Sequence, residues 1–590
     1  MEIELKLLLA QQDVPRLRSH PLLAQSTQGE PQLLRMHDIY VDTPDLQLCR
    51  HQAGLRVRQV DGRWVQTLKA GGTVSGGLHS RHEWEGEVPG PQPDLAALDA
   101  AIGRKQPIRA LLRQDAIRDA LRPVFSTRIE RTVWQLRTAQ GDEIECVLDQ
   151  GVIESGADGA DGGARSVPVS EIELELKQGQ ASSLFDVALS LLRDMPLQLG
   201  HMSKAERGYR LAASHPLQAV KAQPLRLDDG MTVQQAFVAI CGNCLEQVSG
   251  NQDGVAAGED VESVHQMRVG LRRLRSALGM FKSLLALPDA LTGELAWLGG
   301  ALGEARDWDV LAGNTLAQLD GEAATDAAAL AGAAHEQARL KHVQAAQAVT
   351  SARYTACMLG LQRWLQARAW RDNCSERQLR RLDARVSPFA RATLRKDQRR
   401  LMQRGKRLPH ATPQQRHRVR IAAKKTRYAT EFFASLFAGR AVKPYVGRLS
   451  ALQDELGWLN DVQVADRLLR QLPEVQADQA DQAVQDGLRL HAAFVRGYLA
   501  ARARRCGRSR TSVSCPSTID RPACCRIPPS AAGKTARRSG VLAGRPACRA
   551  GGQSIPRSRA PSGGHTGPSS RTGSRCSGVP PAVAAAHRRR

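Results

Sequence analysis

The chain has 590 residues, of which 83 are Lys or Arg and 59 are Asp or Glu, so its formal net charge is +24. This length allows several folded domains, and no stretch approaches the roughly 20 consecutive apolar residues that a membrane-spanning helix needs. The N-terminus does not begin with the basic and apolar segments of a secretory signal, so we expect a cytoplasmic protein.

Residues 1–211 contain eight segments with the alternating pattern of β-strands. The segments are EIELKLLL, HDIYVDT, GLRVRQV, RWVQTLKA, RHEWEGEV, RTVWQLRT, DEIECVLD and EIELELK. Two helical stretches lie between them, PDLAALDAAIGRKQPIRALL and SSLFDVALSLLRDM. The pattern predicts a β-barrel or a β-sandwich with covering helices.

One face of most of these strands is charged. The first strand carries Glu2, Glu4 and Lys6 on one face, and the last carries Glu171, Glu173, Glu175 and Lys177. A single charged face would ordinarily lie in solvent. Because the helices between the strands have apolar faces that must pack on something, we infer that they cover the outside of a closed sheet. The charged faces would then line its interior, where a phosphate chain bridged by divalent metal would satisfy both signs of charge.

An ordered set of short motifs over residues 1–211 resembles the CYTH family, the triphosphate tunnel metalloenzymes. The motifs are EIELK (2–6), YVDTPD (40–45), LRVR (55–58), TLKA (67–70), EIELELK (171–177) and SKAERGY (203–209). The resemblance implies an eight-stranded antiparallel β-barrel that forms a tunnel and binds a triphosphate together with Mg²⁺ or Mn²⁺. Family members include adenylate cyclases, thiamine triphosphatases and inorganic triphosphatases.

The resemblance also implies roles for individual residues. The implied catalytic residues are Glu4, Lys6 and Lys204. The implied metal ligands are Glu2, Glu4, Asp149, Glu171, Glu173 and Glu175. The implied phosphate-binding residues are Arg56, Arg58, Lys69, Arg131 and Arg207. Arg128 remains an alternative to Arg131, because the register of that segment is open at this point.

A linker over residues 212–228 separates this half from a helical one. Long apolar-periodic runs over 229–505, with almost no strand signal, predict an all-α helical bundle. The segment at 264–278 matches the segment at 416–430 at a constant offset of 152 residues, and similar segments containing Asp307 and Asp461 follow the two copies. We therefore predict an internal two-fold repeat in this domain.

The helical half resembles the CHAD family, an α-helical domain of two related halves that often follows a CYTH domain. The resemblance implies a basic surface that binds inorganic polyphosphate. Its implied members are His265, Arg268, Arg272, Arg273, Arg275, His417, Arg420, Lys424, Lys425 and Arg427. A basic stripe on one helix is usually a solvated face, but the duplication favours two stripes around a groove. Metal binding by the two histidines is less favoured, because their cationic neighbours would repel a metal ion.

Together these observations predict a metal-dependent inorganic triphosphatase that hydrolyses triphosphate to pyrophosphate and phosphate. Its helical domain would bind polyphosphate, and the protein could associate with polyphosphate granules. One alternative is the same tunnel acting on thiamine or nucleoside triphosphates, including cyclisation of ATP. Another is a non-catalytic polyphosphate-binding protein, which the acidic residues disfavour because anion binding alone has no use for them.

The last segment, residues 506–590, differs in composition from the rest of the chain. Residues 501–590 carry 19 basic residues and one acid, Asp520, and contain no Phe, Trp or Tyr. Such a segment buries too little apolar surface to offset the entropy of ordering, so we predict a disordered basic tail. Its abrupt start near Cys506 favours out-of-frame translation over a functional tail, and we do not expect nucleic acid as a partner.

Overall fold

The structure, a computed structural model, describes residues 2–75, 78–104, 106–156, 165–213, 217–258, 260–406, 408–475 and 482–509. The side chains of residues 2 and 72–81 lie outside this description, as does the predicted tail beyond Ser509.

Nine antiparallel strands form the sheet of the N-terminal half, within the described part of the chain. They are β1 (Glu2–Leu9), β2 (Gln32–Asp42), β3 (Ala53–Val60), β4 (Arg63–Ser75), β5 (Leu78–Val88), β6 (Arg122–Arg137), β7 (Glu143–Ser155), β8 (Arg165–Gln178) and β9 (Leu197–Leu199). Their order is β5-β4-β3-β2-β6-β7-β8-β1-β9, and an additional pairing of β5 with β1 closes the sheet into a barrel.

The predicted number of eight strands was therefore wrong by one. The extra strand, β9, pairs with residues 7–9 of β1, beyond residues 2–5, where β5 pairs. Three residues are too few to display an alternating pattern, so the sequence carried no signal for this strand.

Short helices cover the outside of the barrel. They are α1 (Val14–Arg18), α2 (Pro21–Ser26), α3 (Gln47–Arg50), α4 (Leu95–Ala101), α5 (Pro107–Leu112), α6 (Asp115–Arg118) and α7 (Ser182–Asp194). A further helix, α8 (Lys204–Ala213), contributes side chains to the interior instead. The apolar residues of β1, including Leu5 and Leu7, are fully buried in a cluster with Leu184 and Phe185 of α7. The apolar faces of the strands thus point outward under helices, which leaves the alternate, charged residues for the interior.

The C-terminal half is helical. Its helices are α9 (Val233–Ser249), α10 (Gln252–Ala256), α11 (Val261–Phe281), α12 (Asp289–Asp309), α13 (Glu322–Val349), α14 (Ala352–Gln366), α15 (Glu376–Leu382), α16 (Val386–Gly405), α17 (Pro413–Phe432), α18 (Gly439–Val475) and α19 (Gln482–Ser509). A π-helical segment, Val310–Leu316, extends α12. Among the described helices, none combines the length and apolar character needed to cross a membrane. The internal repeat stays a prediction.

One apolar cluster runs through both halves of the chain. It contains Leu5 and Leu174 of the barrel and also Phe237 of α9 and Leu274 of α11. Arg363 of α14 forms an ion pair with a carboxylate of α7, which joins the two halves at the surface of this cluster. The barrel and the helical half therefore share a core, although the sequence predicts them as separate domains.

Candidate active site and basic groove

A polar cavity of about 800 Å³ occupies the inside of the barrel. Its lining includes most of the charged residues that the sequence assigns to a triphosphate site. The predicted residues that line it are Glu4, Lys6, Arg56, Arg58, Lys69, Arg131, Glu173, Glu175 and Lys204. Strand register explains this convergence, because residues directly opposite on neighbouring strands point to the same face. Lys6 lies opposite Glu173, and Glu4 lies opposite Glu175.

Three buried carboxylates form the acidic centre of this site. Asp149, Glu171 and Glu173 each offer an oxygen within 4.8 Å of the others, and the first two are fully buried. Asp149 lies opposite Glu171 in the β7–β8 register. Oxygen ligands at this spacing suit a hard divalent cation such as Mg²⁺ or Mn²⁺. The residues present thus fit the metal that the motifs imply.

Four protein cations surround these carboxylates. Lys6 forms an ion pair with Glu173, and its Nζ lies 3.0 Å from Glu4 Oε1. Arg131 donates two hydrogen bonds of 2.7 Å to Asp149 and one of 2.9 Å to Glu173. The other two cations come from α8. Lys204 Nζ lies 2.6 Å from Asp149 Oδ2, 2.5 Å from Glu171 Oε1 and 3.0 Å from Glu173 Oε1, and Arg207 pairs with Glu171.

The protonation states of these groups follow from their partners. Burial by itself would raise the pKa of Glu173, but Lys204, Lys6 and Arg131 outweigh it and hold that pKa well below its ordinary value. The pKa of Asp149 is lowered in the same way against burial, by Lys204 and Arg131. Burial lowers the pKa of Lys204, but its three carboxylate partners raise it overall. Asp149, Glu173 and Lys204 are therefore ionised near neutral pH.

A second charged group lies on the β2–β3 side of the tunnel. Asp38 accepts hydrogen bonds of 2.7 and 2.9 Å from Arg58 and one of 3.4 Å from Arg56. Burial opposes ionisation of Asp38, but Arg58 and Arg56 lower its pKa to about 2. Sequence analysis missed this residue. In the sequence, the alternation of Asp38 with Tyr40 on β2 is only a weak signal that Asp38 faces the interior. The pairing of β2 with β3 is needed to place Asp38 opposite Arg58.

Helix α8 carries the motif SKAERGY into the tunnel mouth. Ser203 and Glu206 form a reciprocal cap, in which Ser203 N and Oγ donate to Glu206 Oε2 over 2.7 and 2.9 Å and Glu206 N donates to Ser203 Oγ over 3.2 Å. Gly208 allows a close approach, because a Cβ there would lie 2.0 Å from the Phe125 ring. The cap and the close packing fix Lys204 and Arg207 over the carboxylates.

The remaining predicted tunnel residues divide into three groups. Lys69 lies 3.4 Å from Glu83, and Glu175 lies 2.8 Å from Lys177, at the cavity wall. Arg128 is exposed and pairs with Glu154 on the outer surface, so Arg131 is the member of that pair that enters the tunnel. The side chain of Glu2 lies outside the described residues.

A second cluster of cations lies between two helices of the C-terminal half, α11 and α17, which pack against each other. We call Arg268, Arg272, Arg420 and Lys424 the basic groove. Arg268 Nη1 lies 3.3 Å from Asp307 Oδ1 on α12. The Nε atoms of Arg272 and Arg420 are buried and have no hydrogen-bond partner among the described residues. Burial, followed by Arg420, Arg272 and Arg268, lowers the pKa of Lys424 to about 7.

The other predicted groove residues lie around this cluster or away from it. His265 Nδ1 accepts a 3.2 Å hydrogen bond from Arg306, at the α12 side of the groove. The side chains of Arg275, His417 and Lys425 are exposed, and Arg427 is half-buried beside Glu431.

Arg273 does not belong to the groove. Its guanidinium is buried, donates to Gln247 Oε1 and Asn243 Oδ1 over 2.8 and 2.7 Å, and lies over the Phe432 ring. The predicted contact between Arg273 and polyphosphate is thus at odds with the structure. The physical reason is its position one residue past Arg272, which turns it by about 100° towards α9.

Comparisons with known proteins identify a domain in each half of the chain. A family model for the CYTH domain matches residues 1–209, and one for the CHAD domain matches residues 239–470. The inorganic triphosphatase of Haemophilus influenzae is 35% identical over 213 residues, which cover 36% of this chain and 55% of that protein. An uncharacterized protein of Mycobacterium tuberculosis is 28% identical over 302 residues, covering 48% of this chain and 53% of that protein.

Among solved structures, the crystal structure of the CHAD domain from the plant Ricinus communis is similar to the helical half. It is 39% identical, covers 49% of this chain and 92% of that chain, and superposes with a TM-score of 0.43. The chain spans about half the length of the curated relatives it matches.

Proposed function

Because this chain belongs to the proteins that join a CYTH domain to a CHAD domain, we propose that its tunnel hydrolyses inorganic triphosphate to pyrophosphate and phosphate with bound Mg²⁺ or Mn²⁺. The observation that carries the proposal is the acidic centre of Asp149, Glu171 and Glu173, enclosed by Lys6, Arg131 and Lys204. Carboxylates for a metal and cations for phosphate oxygens are the parts that phosphoryl transfer requires.

The carboxylates would hold the metal, with Glu4 and Glu175 as further ligands. When bound, such an ion neutralises phosphate oxygens and lowers the pKa of a coordinated water. Lys6, Arg131 and Lys204 would turn from their carboxylate partners to the phosphate oxygens, and Arg56, Arg58, Lys69 and Arg207 would extend this contact along the chain of phosphates. Lys6, Asp149 and Glu173 are buried, and contacts to the developing charge would be stronger there than in water.

Two arginines on β6 offer a matched test of this proposal. Arg131 enters the tunnel, whereas Arg128, three residues earlier, is exposed on the outer surface. We expect Arg131→Ala to lower kcat for tripolyphosphate by about 100-fold or more, because one fixed cation at the developing charge is lost. Arg128→Ala is expected to keep wild-type turnover. Phosphate release measured with Mg²⁺, with Mn²⁺ and with EDTA checks both variants.

Arg131→Ala removes a cation that pairs with the buried carboxylate of Asp149, which can destabilise the fold. Thermal unfolding of the variant therefore checks that it is folded. Arg131→Lys keeps a charge and loses the paired hydrogen bonds, and it serves if the alanine variant unfolds. Equal turnover in Arg131→Lys, Arg128→Ala and wild type would refute the site. ATP and thiamine triphosphate are measured alongside, since faster release from either of them would assign the tunnel to that alternative substrate.

For the helical domain, we propose that the basic groove binds inorganic polyphosphate. The Nε atoms of Arg272 and Arg420 support it, because they are buried without a hydrogen-bond partner in the described part of the chain, and buried donors are normally hydrogen-bonded. Arg420→Ala should weaken binding of long-chain polyphosphate about tenfold, the loss expected for one charge-assisted hydrogen bond. Arg418→Ala, an exposed arginine on the same helix, is the control. Equal affinity of the two variants, or binding that is insensitive to salt, would contradict the proposal.

A further inference from the structure

The segment between β9 and α8 joins the tunnel to the helical half. Gly200 N donates a 3.0 Å hydrogen bond to Lys6 O, so this segment lies directly beside the strand that carries Lys6. His201 follows and is buried. Two residues later Ser203 caps α8, and Lys204 is the first residue of that helix. Any movement of residues 199–203 would therefore move Lys204 relative to Lys6.

A glutamine of the helical half holds this segment at two points. Gln252 of α10 is buried, and its Nε2 donates to Leu199 O over 3.1 Å. Its Oε1 lies 2.7 Å from His201 Nε2. Because a backbone carbonyl can only accept, the amide nitrogen must face Leu199 and the amide oxygen must face His201. His201 therefore carries its proton on Nε2 and donates it to Gln252.

The neighbouring Asp253 extends this contact towards α8. It interacts electrostatically with His201, Arg210 and Arg207, although its burial raises its own pKa. Arg207 in turn pairs with Glu171 of the acidic centre. A chain of contacts thus leads to the carboxylates. Gln252 of α10 binds Leu199 and His201, residues 199–203 continue into α8, and Arg207 of α8 pairs with Glu171. Leu197 and Leu199, beside this polar contact, belong to the hydrophobic cluster that barrel and helices share.

We propose that Gln252 is a positioning residue through which the helical domain fixes Lys204 and Arg207 in the tunnel. The proposal rests on the triphosphatase function proposed above. Gln252 touches no predicted substrate contact, and it acts through Leu199 and His201. A buried glutamine at a domain contact can also serve stability alone, so the test must separate geometry from folding.

The test compares three variants of the full chain. Gln252→Ala removes both hydrogen bonds, and Gln252→Met removes them while keeping the side-chain volume, so it serves if the alanine variant does not fold. Gln453→Ala is the matched control, since Gln453 is also buried but donates to Leu449 O in its own helix and not to the barrel. We measure kcat and KM for tripolyphosphate with Mg²⁺, and deuterium exchange of residues 199–210 by mass spectrometry.

Loose positioning of Lys204 should lower kcat about tenfold with a smaller change in KM, because misplacement of a group acting in the transition state mainly affects turnover. Exchange should become faster in residues 199–210 of both Gln252 variants and stay unchanged there in Gln453→Ala. Wild-type kcat together with wild-type exchange in Gln252→Met would overturn the proposal. Absence of phosphate release by the wild type would instead refute the proposed function, while exchange would still report the positional link.

Discussion

Individual side chains in this protein are charged or neutral according to their close partners. Lys424 is the clearest example, because its half-buried amine lies among Arg420, Arg272 and Arg268, with Asp461 as the opposing charge. Burial and, after it, the three arginines lower its pKa to about 7, which is within the physiological range. By contrast, Lys6 and Lys204 in the tunnel have carboxylate partners that raise their pKa values against the effect of burial, so both remain charged. Lys424 therefore titrates near neutral pH, whereas Lys6 and Lys204 keep their charge there.

Lys424 should give the proposed polyphosphate binding a dependence on pH. The amine gains its proton as pH falls through about 7, so affinity for long-chain polyphosphate should increase between pH 8 and pH 6, with uptake of a proton at neutral pH. Lys424→Arg keeps a charge at every pH and should flatten this step. Titration calorimetry in buffers of different ionisation enthalpy measures both effects. If affinity increases by the same amount between pH 8 and pH 6 in Lys424→Arg, a group other than Lys424 causes the pH dependence. His265 is a poor candidate for that group, because burial lowers its pKa from 6.5.

At the scale of single elements, α8 shows how a short motif becomes a site. Its cap sets the start of the helix at Lys204, and Gly208 sets its distance from β6. Phe125 stacks on Tyr40 at 4.3 Å and meets the edge of Tyr209 at 5.1 Å, so the surface under the helix is rigid. The helix can move only if these rings move.

Gly208→Ala should therefore displace α8 and reduce turnover. The added methyl would overlap the Phe125 ring, and the cost of overpacking a core is about 1–3 kcal/mol. We expect kcat for tripolyphosphate to fall, with a lower melting temperature. Adding Phe125→Leu makes room for the methyl and should restore part of kcat. If the double variant is as slow as Gly208→Ala, the close approach is not the cause.

The sequence predicted the strands and their inward faces well, because alternation is a local property. The choice between Arg128 and Arg131 needed the β6–β7 register, which places Arg131 opposite Asp149. The role of Asp38 needed the β2–β3 pairing, and the burial of Arg273 needed its partners on α9. Each of these facts depends on contacts between distant segments, which periodicity does not encode. The ninth strand was missed because it is too short to show a pattern.

For the molecule as a whole, the shared hydrophobic cluster contains residues of both the barrel and the helices. Phe237 is fully buried in it, and its ring lies 5.0 to 5.8 Å from those of Phe281, Trp364 and Trp370. Because Leu5 and Leu174 of the barrel belong to the same cluster, loss of packing in the helices should also affect the tunnel.

We expect Phe237→Ala to destabilise both halves together, by about 3–5 kcal/mol. Urea unfolding is followed by deuterium exchange in β7 for the barrel and in α11 for the helical half. The two probes should shift by the same amount and report one transition. A shift confined to α11, with the barrel unchanged, would show that the halves unfold independently.

The ion pairs that fill the tunnel have a consequence for selectivity. Every predicted phosphate contact around the acidic centre already has a carboxylate partner. An incoming anion must therefore compete with internal anions, and a ligand with one phosphate can replace fewer of them than a ligand with three. On the proposed function, the tunnel would act as a threshold on ligand charge: it would admit chains of phosphates and release orthophosphate. Affinity for the tunnel should accordingly fall from triphosphate through pyrophosphate to orthophosphate. Release of orthophosphate would then follow from its lower charge.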